Sequence, residues 1–457
     1  MNVKAIALIA APLAALAVYF AATAQGAPHA MGIVLAITTL VVCWWILEPI
    51  PLAATSFIPI IALPLSGVLD QAAVSQAYGN PVILLLLGGF ILSTALAKSG
   101  THRRIALSMV RLFGVGSSRR LVFGFMAASA LLSMWISNTA TTLMMLPIAL
   151  AVLERTRDEK LAIPLLLGIA YASSIGGIGT PIGTPPNLIF RGVYEELFNA
   201  EVGFLKWMSI ALPVVLVLVP VAALWLCRNL GKGEGAEIEA SGAWRPEEKR
   251  LAFVFGVTVL LWVTRTEPFG GWSALLGLPY TNDAMVALFA CVLLFIVPNG
   301  QGGRLLDWET AEKIPWGTLI LFASGIALAK GFEVSGVSAA MGNALSVLGD
   351  VAPYLIVLAI CLGVTFLTEA TSNTATTTLL MPIMGATAVA VSADPLLFMI
   401  PAAMSASCAF MLPVATAPNV IMFSTGRVPI ARMVREGVVL NFVGAAVISV
   451  VCYLLIA

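Results

Sequence analysis

Long apolar stretches recur from one end of this 457-residue chain to the other, and they restrict its fold more than any other feature. A helix needs roughly 20 apolar residues to cross a bilayer, and only helices or closed barrels satisfy the backbone hydrogen bonds there. Sixty per cent of the residues are hydrophobic and only 10% are charged, whereas soluble domains carry about 25% charged residues. We therefore predict an all-α polytopic membrane protein.

Eleven apolar runs, bounded by Gly, Pro or charged residues, predict full membrane spans. They are residues 5–23, 31–49, 52–69, 81–98, 161–193, 205–227, 251–265, 284–298, 316–334, 396–425 and 437–456. The first run follows Lys4 and imitates a secretory signal peptide. Because so many spans follow it, we expect residues 1–30 to remain as an N-terminal transmembrane helix.

Two further apolar segments, 121–154 and 351–392, are each too long for one helix and carry a Ser/Asn/Thr-rich interruption in the middle. We predict that each is a re-entrant hairpin, which enters the membrane, turns and leaves on the same side. Such a turn is tolerated at membrane depth only where protein or a water-filled cavity covers its backbone.

The basic residues support this arrangement of spans. If residue 1 starts in the cytoplasm, only four of the 24 Lys and Arg residues fall on the opposite side, namely Arg191, Lys206, Arg265 and Lys330. The positive-inside rule predicts this asymmetry. We expect a multi-pass protein of the cell (inner) membrane, with its N-terminus in the cytoplasm and its C-terminus outside.

Charge and motif content exclude several classes of function. The 24 basic residues nearly balance the 23 acidic ones, so the net charge of +1 indicates no nucleic-acid partner. The six cysteines are dispersed through apolar runs without the spacing of a metal site or a disulfide framework. No HExxH, GxSxG or paired intramembrane Asp motif is present, so we do not expect an enzyme.

An internal repeat carries the chemistry. Twelve residues from Ser137 (SNTATTLMMLPI) and twelve from Ser372 (SNTATTTLLMPI) agree at eight positions, at an offset of 235 residues. Each copy is followed by a second motif, Thr184-Pro-Pro-Asn in the first half and Thr416-Ala-Pro-Asn in the second. The chain is therefore predicted to be a duplication.

The predicted topology makes the two copies inverted, since one hairpin enters from the cytoplasm and the other from outside. The first repeat covers 31–230, a cytoplasmic linker covers 231–250, and the second repeat covers 251–457. Inverted repeats with interrupted helices at corresponding positions are typical of secondary transporters that bind substrate near the membrane midplane. The broken helices are expected at 161–193 and 396–425.

The residue types of these motifs suit ions of both signs. A broken helix frees carbonyl oxygens, which bind a cation such as Na⁺, and N–H groups, which favour an anion. Ser and Asn add hydroxyl and amide oxygens for a cation, while Thr and Asn can donate to a carboxylate.

These paired motifs, each on a hairpin followed by a proline-bearing break, resemble the divalent anion–sodium symporter family over essentially the whole chain. The resemblance implies uptake of C4-dicarboxylates such as succinate, malate and fumarate, coupled to Na⁺. It also implies a homodimer in which a transport domain moves as an elevator against a scaffold.

The resemblance also implies site residues. The first Na⁺ site would comprise Ser133, Ser137, Asn138 and the carbonyl of Gly183. The second Na⁺ site would comprise Thr368, Thr371, Asn373 and the carbonyl of Ala415. The anion would contact Asn138, Thr139, Thr184, Asn373, Thr374 and Thr416.

Several alternatives stay open at this point. The anion could be citrate or sulfate, the coupling ion could be H⁺, and the same fold could exchange dicarboxylates without a cation. Ala417 replaces the first proline of the usual Thr-Pro-Pro-Asn break. Glu369 is either a functional carboxylate at membrane depth, or it faces solvent or pairs with Lys330.

Overall fold

The computed structural model describes residues 3–114, 116–156, 160–231 and 242–457, and this part of the chain is helical without a β-strand. Its α-helices, in chain order, are α1 (Val3–Ala24), α2 (His29–Leu47), α3 (Leu52–Thr55), α4 (Phe57–Leu65), α5 (Gln71–Tyr78), α6 (Pro81–Ser99), α7 (Thr101–Gly114), α8 (Ser118–Ser133), α9 (Asn138–Arg155), α10 (Ala162–Ile178), α11 (Pro185–Phe198), α12 (Phe204–Leu226), α13 (Pro246–Val263), α14 (Gly271–Leu275), α15 (Asp283–Ile296), α16 (Trp308–Ala311), α17 (Trp316–Ser335), α18 (Val337–Leu345), α19 (Pro353–Thr368), α20 (Asn373–Ala390), α21 (Pro395–Ala406), α22 (Ala417–Phe423) and α23 (Ile430–Ile456). Short 3₁₀ turns cover Ser346–Asp350 and Pro413–Ala415.

Six helical stretches in the described residues are long and apolar enough to cross a membrane by themselves. They are Val3–Ala24, His29–Leu47, Gln71–Ser99, Phe204–Leu226, Trp316–Ser335 and Ile430–Ile456. Shorter apolar helices, such as α10 and α21, fall below the roughly 20 residues that one crossing requires. Such a helix crosses the membrane only together with a second helix. The total of eleven spans stays a prediction.

Two helix starts differ from those expected. Helix α13 begins at Pro246, inside the expected linker 231–250, where the Glu248 carboxylate accepts from the Arg245 backbone N–H at 2.8 Å and so satisfies one donor at the helix start. Helix α23 begins at Ile430, whereas the expected span began at 437. The difference arises because a segment with polar residues, ahead of the apolar span, forms the first turns of the same helix. Arg157, Lys232 and the rest of 232–241 lie outside the described residues.

The two halves share one order of elements. In each, a long apolar helix (α6 or α17) leads into a shorter helix (α7 or α18) and then into a pair of helices joined by a short turn (α8–α9 or α19–α20). A helix in two pieces follows (α10 and α11, or α21 and α22), and a long helix ends the half (α12 or α23). The turns of the helix pairs fall at 134–137 and 369–372.

The two halves interlock around their helix breaks. Helix α11 packs against α20, and α22 packs against α9, so the piece that follows each break contacts the opposite helix pair. The buried Tyr171 hydroxyl on α10 donates to the Phe410 carbonyl of the second break at 2.8 Å. Glycine permits the closest approaches, since a Cβ on Gly176 would lie 2.3 Å from the Ala130 carbonyl oxygen, and one on Gly437 would lie 2.1 Å from that of Phe410.

A buried network of charges joins the first broken helix to the second half. Asp283, 2% exposed at the start of α15, accepts from Arg191 of α11 at 2.8 Å and from Arg265, which follows α13, at 2.7 Å. Glu201 also pairs with both guanidinium groups. A buried charge is tolerated when it is paired and hydrogen-bonded, and removal of one partner leaves the others uncompensated.

We expect Asp283→Ala to destabilise the protein by about 3–5 kcal/mol, because two buried guanidinium groups would face each other without the central carboxylate. Thermal unfolding of the purified protein in detergent measures the effect. Lys98→Gln is the matched control, since it breaks an ion pair with Asp307 whose side chains are 33% and 53% exposed. Equal losses in the two variants would contradict a special role for the buried network.

Candidate functional site

Both helix-pair turns and both helix breaks open into one cavity of about 670 Å³. The turns contribute residues 137–139 and 370–374, and the breaks contribute residues 182–186 and 414–418. The remaining wall includes large apolar side chains, namely Trp45, Ile46, Leu86, Phe90 and Trp135. The two copies of the sequence repeat therefore meet at a single place in the folded chain.

All six residues predicted to contact the anion line this cavity: Asn138, Thr139, Thr184, Asn373, Thr374 and Thr416. Six of the residues predicted for the two Na⁺ sites also line it: Ser137, Asn138, Gly183, Thr371, Asn373 and Ala415. The other two, Ser133 and Thr368, are fully buried behind the lining residues. The structure thus brings the predicted set together, and its ligands stay a prediction.

The two hairpin turns repeat one hydrogen bond. The Ser133 hydroxyl donates to the Asn138 amide oxygen at 2.7 Å, and the Thr368 hydroxyl donates to the Asn373 amide oxygen at 2.7 Å. Each pair therefore holds two oxygen atoms side by side, which is an arrangement that a single cation can share. The amide nitrogen of each Asn is left for another acceptor.

The two breaks repeat a second arrangement, which the sequence analysis did not assign to the site. Asn187 donates to the carbonyls of Gly177 and Thr180 at 2.9 and 2.7 Å, and Asn419 donates to those of Ala409 and Leu412 at 3.1 and 3.0 Å. Both side chains are fully buried. Their amide oxygens accept no hydrogen bond among the described residues. A buried amide oxygen that accepts no hydrogen bond from the protein can bind a nearby cation or water molecule.

Four helices begin at the cavity wall. Ser137, Thr184, Ser372 and Thr416 are the N-caps of α9, α11, α20 and α22. The partial positive charge of a helix N-terminus stabilises an anion. Among the described residues that line the cavity, Glu48 is the only ionisable one and none is basic. Any anion held here is therefore compensated by backbone dipoles, hydroxyls, amides or a bound cation.

The sequence matches named proteins over most of its length. Residues 42–399 match the sequence profile of a family described as Citrate transporter. The chain is 41% identical to the sodium-dependent dicarboxylate transporter SdcS of Staphylococcus saprophyticus, over 93% of this chain and 86% of that protein. It is also 41% identical to SdcS of Staphylococcus aureus strain USA300, over 98% of this chain and 90% of that protein.

The chain belongs to the divalent anion–sodium symporter family. The predicted family is confirmed, and this member is a polytopic helical membrane transporter rather than an enzyme. The crystal structure of the YdaH transporter of Alcanivorax borkumensis, at 15% identity, shares the fold with a TM-score of 0.61 over 93% of this chain and 98% of that one.

The structure corrects two of the expectations for Glu369. The residue is 4% exposed, so it does not face solvent, and Lys330 pairs instead with Glu196 and Glu333. Its carboxylate accepts from three backbone N–H groups of the second break, at 2.7–2.9 Å, and from the Asn441 side chain at 2.8 Å. Glu369 therefore links the second hairpin turn to the second break by hydrogen bonds.

The asymmetry between Glu369 and its counterpart Met134 follows from the lengths of the breaks. The first break covers 179–184 and the second covers 407–416. The longer second break therefore has more backbone N–H groups that lack a partner within a helix. The acceptors that those extra N–H groups need are the oxygens of Glu369. In the first half, the Met134 carbonyl accepts from the Thr180 hydroxyl, and no carboxylate is required.

We expect Glu369→Gln to lower the free energy of unfolding by about 3 kcal/mol or more, since one carboxylate oxygen is replaced by an NH₂ group that faces N–H donors. Transport should fall with it, because the second break loses its anchor. Unfolding temperature and substrate uptake measure the two effects. Glu333→Gln is the control, a carboxylate that is 48% exposed and pairs with Lys330. If Glu369→Gln behaves like this control, the anchoring role is wrong.

Proposed function

We propose that this chain imports small dicarboxylates, C4-dicarboxylates above all, together with Na⁺. The single observation that carries the proposal is the convergence of both hairpin turns and both breaks on one cavity without a basic lining residue among those described. The relatives named sodium-dependent dicarboxylate transporters support the same substrate and coupling ion.

The cations are proposed to bind beside the two hairpin turns. Ser133, Ser137 and Asn138 with the Gly183 carbonyl would form one site, and Thr368, Thr371 and Asn373 with the Ala415 carbonyl would form the other. The paired oxygens at 2.7 Å in each turn support these positions. Hydroxyl, amide and carbonyl oxygens are hard ligands of the kind that alkali cations prefer.

The anion is proposed to lie between the two turns, in the cavity that is lined by Asn138, Thr139, Thr184, Asn373, Thr374 and Thr416. Thr184 and Ser372 form no capping hydrogen bond with their side chains, so their hydroxyls can serve a carboxylate. Two carboxylates of the substrate would match the two related halves of the cavity. The charge of the bound Na⁺ ions would offset that of the dianion without the cost of a buried basic side chain.

Coupling is proposed to depend on Asn138 and Asn373. When a cation binds the amide oxygen of either residue, the amide nitrogen is held towards the cavity, where it donates to the anion. Cation and anion then stabilise each other's binding. By linkage, the affinity for the anion rises with Na⁺ concentration by the same factor as the affinity for Na⁺ rises with the anion.

The interlocked hairpins and broken helices are proposed to move as one body, as an elevator, against the remaining helices of a homodimer. Support comes from the packing of α11 on α20 and of α22 on α9, which ties the four motifs into one unit. In this proposal the halves are inverted repeats and the protein lies in the cell (inner) membrane. The N-terminus is then cytoplasmic and the C-terminus is outside.

Citrate is the second candidate substrate, because the matching family profile is described as Citrate transporter. A cavity of about 670 Å³ accommodates either a dicarboxylate or a tricarboxylate. Charge distinguishes the two, since a trianion needs more compensation from a site without basic side chains.

We expect uptake of radiolabelled succinate into proteoliposomes to require an inward Na⁺ gradient. A panel with malate, fumarate, citrate and sulfate, each with and without Na⁺, measures substrate choice and coupling together. Uptake driven equally by a K⁺ gradient would contradict Na⁺ symport. Succinate counterflow without Na⁺ would indicate an exchanger instead.

We expect Asn138→Ala and Asn373→Ala each to lower Na⁺-driven uptake about 100-fold or more. Each substitution removes a hydrogen bond or ligand to two charged species, and each such contact contributes about 1.5–3 kcal/mol. The control is Asn343→Ala, an exposed residue on α18 outside the cavity. Near-normal uptake in either cavity variant would mean that the proposed site is misplaced.

A further inference from the structure

The end of α2 adds a group to the cavity of the hairpin turns that neither repeat motif supplies. It contributes Trp45, Ile46 and Glu48 to the lining. Among the described residues that line the cavity, Glu48 is the only one with an ionisable side chain. A carboxylate in a cavity that is proposed to hold an anion repels that anion, so Glu48 opposes the binding that the turns and breaks favour.

The negative charge of Glu48 is not offset by a neighbouring side chain. Within the ranges that the structure describes, no ion pair or hydrogen bond reaches its carboxylate, and the residue is exposed. Glu48 also follows the last turn of α2, and the C-terminal end of a helix carries partial negative charge. The end of α2 is therefore negative, whereas the four helix N-termini at the cavity are positive.

The backbone of Glu48 adopts a conformation that glutamate rarely takes. Its φ of 45° and ψ of 51° are left-handed, and its N–H donates to the Trp44 carbonyl at the end of α2. Helices that end in this conformation usually have Gly there, and sometimes Asn, because a Cβ is unfavourable. The buried Trp45 indole donates to the Ser56 hydroxyl at 3.2 Å and so holds this end of α2. Residues held in strained conformations concentrate at functional sites, which favours a role for the Glu48 side chain.

Substrates with two and with three carboxylates place different demands on this cavity. In the proposed function, one carboxylate binds at each hairpin turn, beside a Na⁺ ion. A third carboxylate has no third turn to bind. It is left with the rest of the lining, where large side chains such as Trp45 and Phe90 are apolar and the only charged group among the described residues is Glu48. Like charges repel, and apolar walls remove the water that would hydrate a carboxylate.

We propose that Glu48 is a specificity-determining residue, which makes the cavity select dianions over trianions. The inference rests on the proposed function and adds the feature that separates dicarboxylates from tricarboxylates. Glu48 acts through its charge, which weakens the binding of each anion in proportion to the negative charge that the anion brings. A neutral side chain of the same size therefore removes the selection.

The experiment measures equilibrium binding of succinate, tricarballylate and propylsuccinate to the full-length protein in detergent with saturating Na⁺. A pH of about 8 keeps their carboxylates ionised. Tricarballylate is succinate with an added carboxymethyl group, and propylsuccinate has a neutral group of similar size in its place. The variant is Glu48→Gln, and the matched control is Glu309→Gln, an exposed carboxylate on α16 that does not line the cavity.

The expected change follows from the one additional charge of tricarballylate. Two unit charges about 4 Å apart in bulk water change a binding constant about fivefold. We therefore expect Glu48→Gln to strengthen tricarballylate binding about fivefold or more relative to succinate. The ratio of propylsuccinate to succinate binding should stay constant, and Glu309→Gln should preserve both ratios.

Two further variants separate the charge of Glu48 from its backbone strain. Asp and Asn both adopt the left-handed conformation more readily than Glu. Glu48→Asp keeps the charge, so we expect it to retain the preference for succinate over tricarballylate. Glu48→Asn is neutral, so we expect it to lose that preference while its unfolding temperature is equal to or above that of the unmodified protein.

The possible results distinguish the inference from the proposed function. Loss of the preference in Glu48→Gln and Glu48→Asn, but not in Glu48→Asp, supports the inference. An unaltered preference in Glu48→Gln overturns it, and so does a gain that extends equally to propylsuccinate, since that gain reflects space rather than charge. If the unmodified protein shows no Na⁺-dependent succinate binding, the proposed function is contradicted, and the inference with it. Unfolding temperatures verify that each variant is folded.

Discussion

The constraint on which this structure depends is that a helix broken inside a membrane must satisfy its freed backbone groups within the protein. At both breaks an asparagine, Asn187 or Asn419, spans the gap and donates to two carbonyls. At the second break, Glu369 accepts from the freed N–H groups. With these contacts in place, the breaks can present the remaining carbonyls and helix N-termini to the cavity. The geometry of the site is therefore a consequence of how each break is held.

The sequence predicted the parts of the site that are local along the chain. The helix pairs, the interrupted helices and the residues at their tips all follow from apolar length and the repeated motifs, since a Ser-Asn-Thr turn between apolar runs has few alternatives in a membrane. Partners that only tertiary packing brings together could not be predicted. Glu369 meets Asn441 and the second break across the fold. Asp283 meets Arg191 of α11 and Arg265, which follows α13. Glu48 reaches the cavity wall from the end of α2, which no sequence pattern indicated.

The two halves are related but not equivalent. Both hairpin turns have the hydroxyl-to-amide hydrogen bond at 2.7 Å. Both breaks have an asparagine that donates to two carbonyls, so these contacts are common to the two halves. The halves differ where one has Met134 and a short break and the other has Glu369 and a longer one. Ala417 is the first residue of α22, whereas Pro185 is the first residue of α11. Helix α22 can begin without a proline because the Thr416 side chain caps it, accepting from the Asn419 N–H. The two halves thus share the hydroxyl and amide groups of their turns and breaks and differ in the contacts that support them.

The crossed packing of the two halves has a consequence for biosynthesis. Helix α11 rests on α20 and α22 rests on α9, so the first half leaves the ribosome before the surfaces that cover its break exist. Until the second half has been translated, α9 and α11 lack the helices that they contact in the folded chain. The cavity takes its lining residues from both halves, so it cannot be complete before the second half has been synthesised.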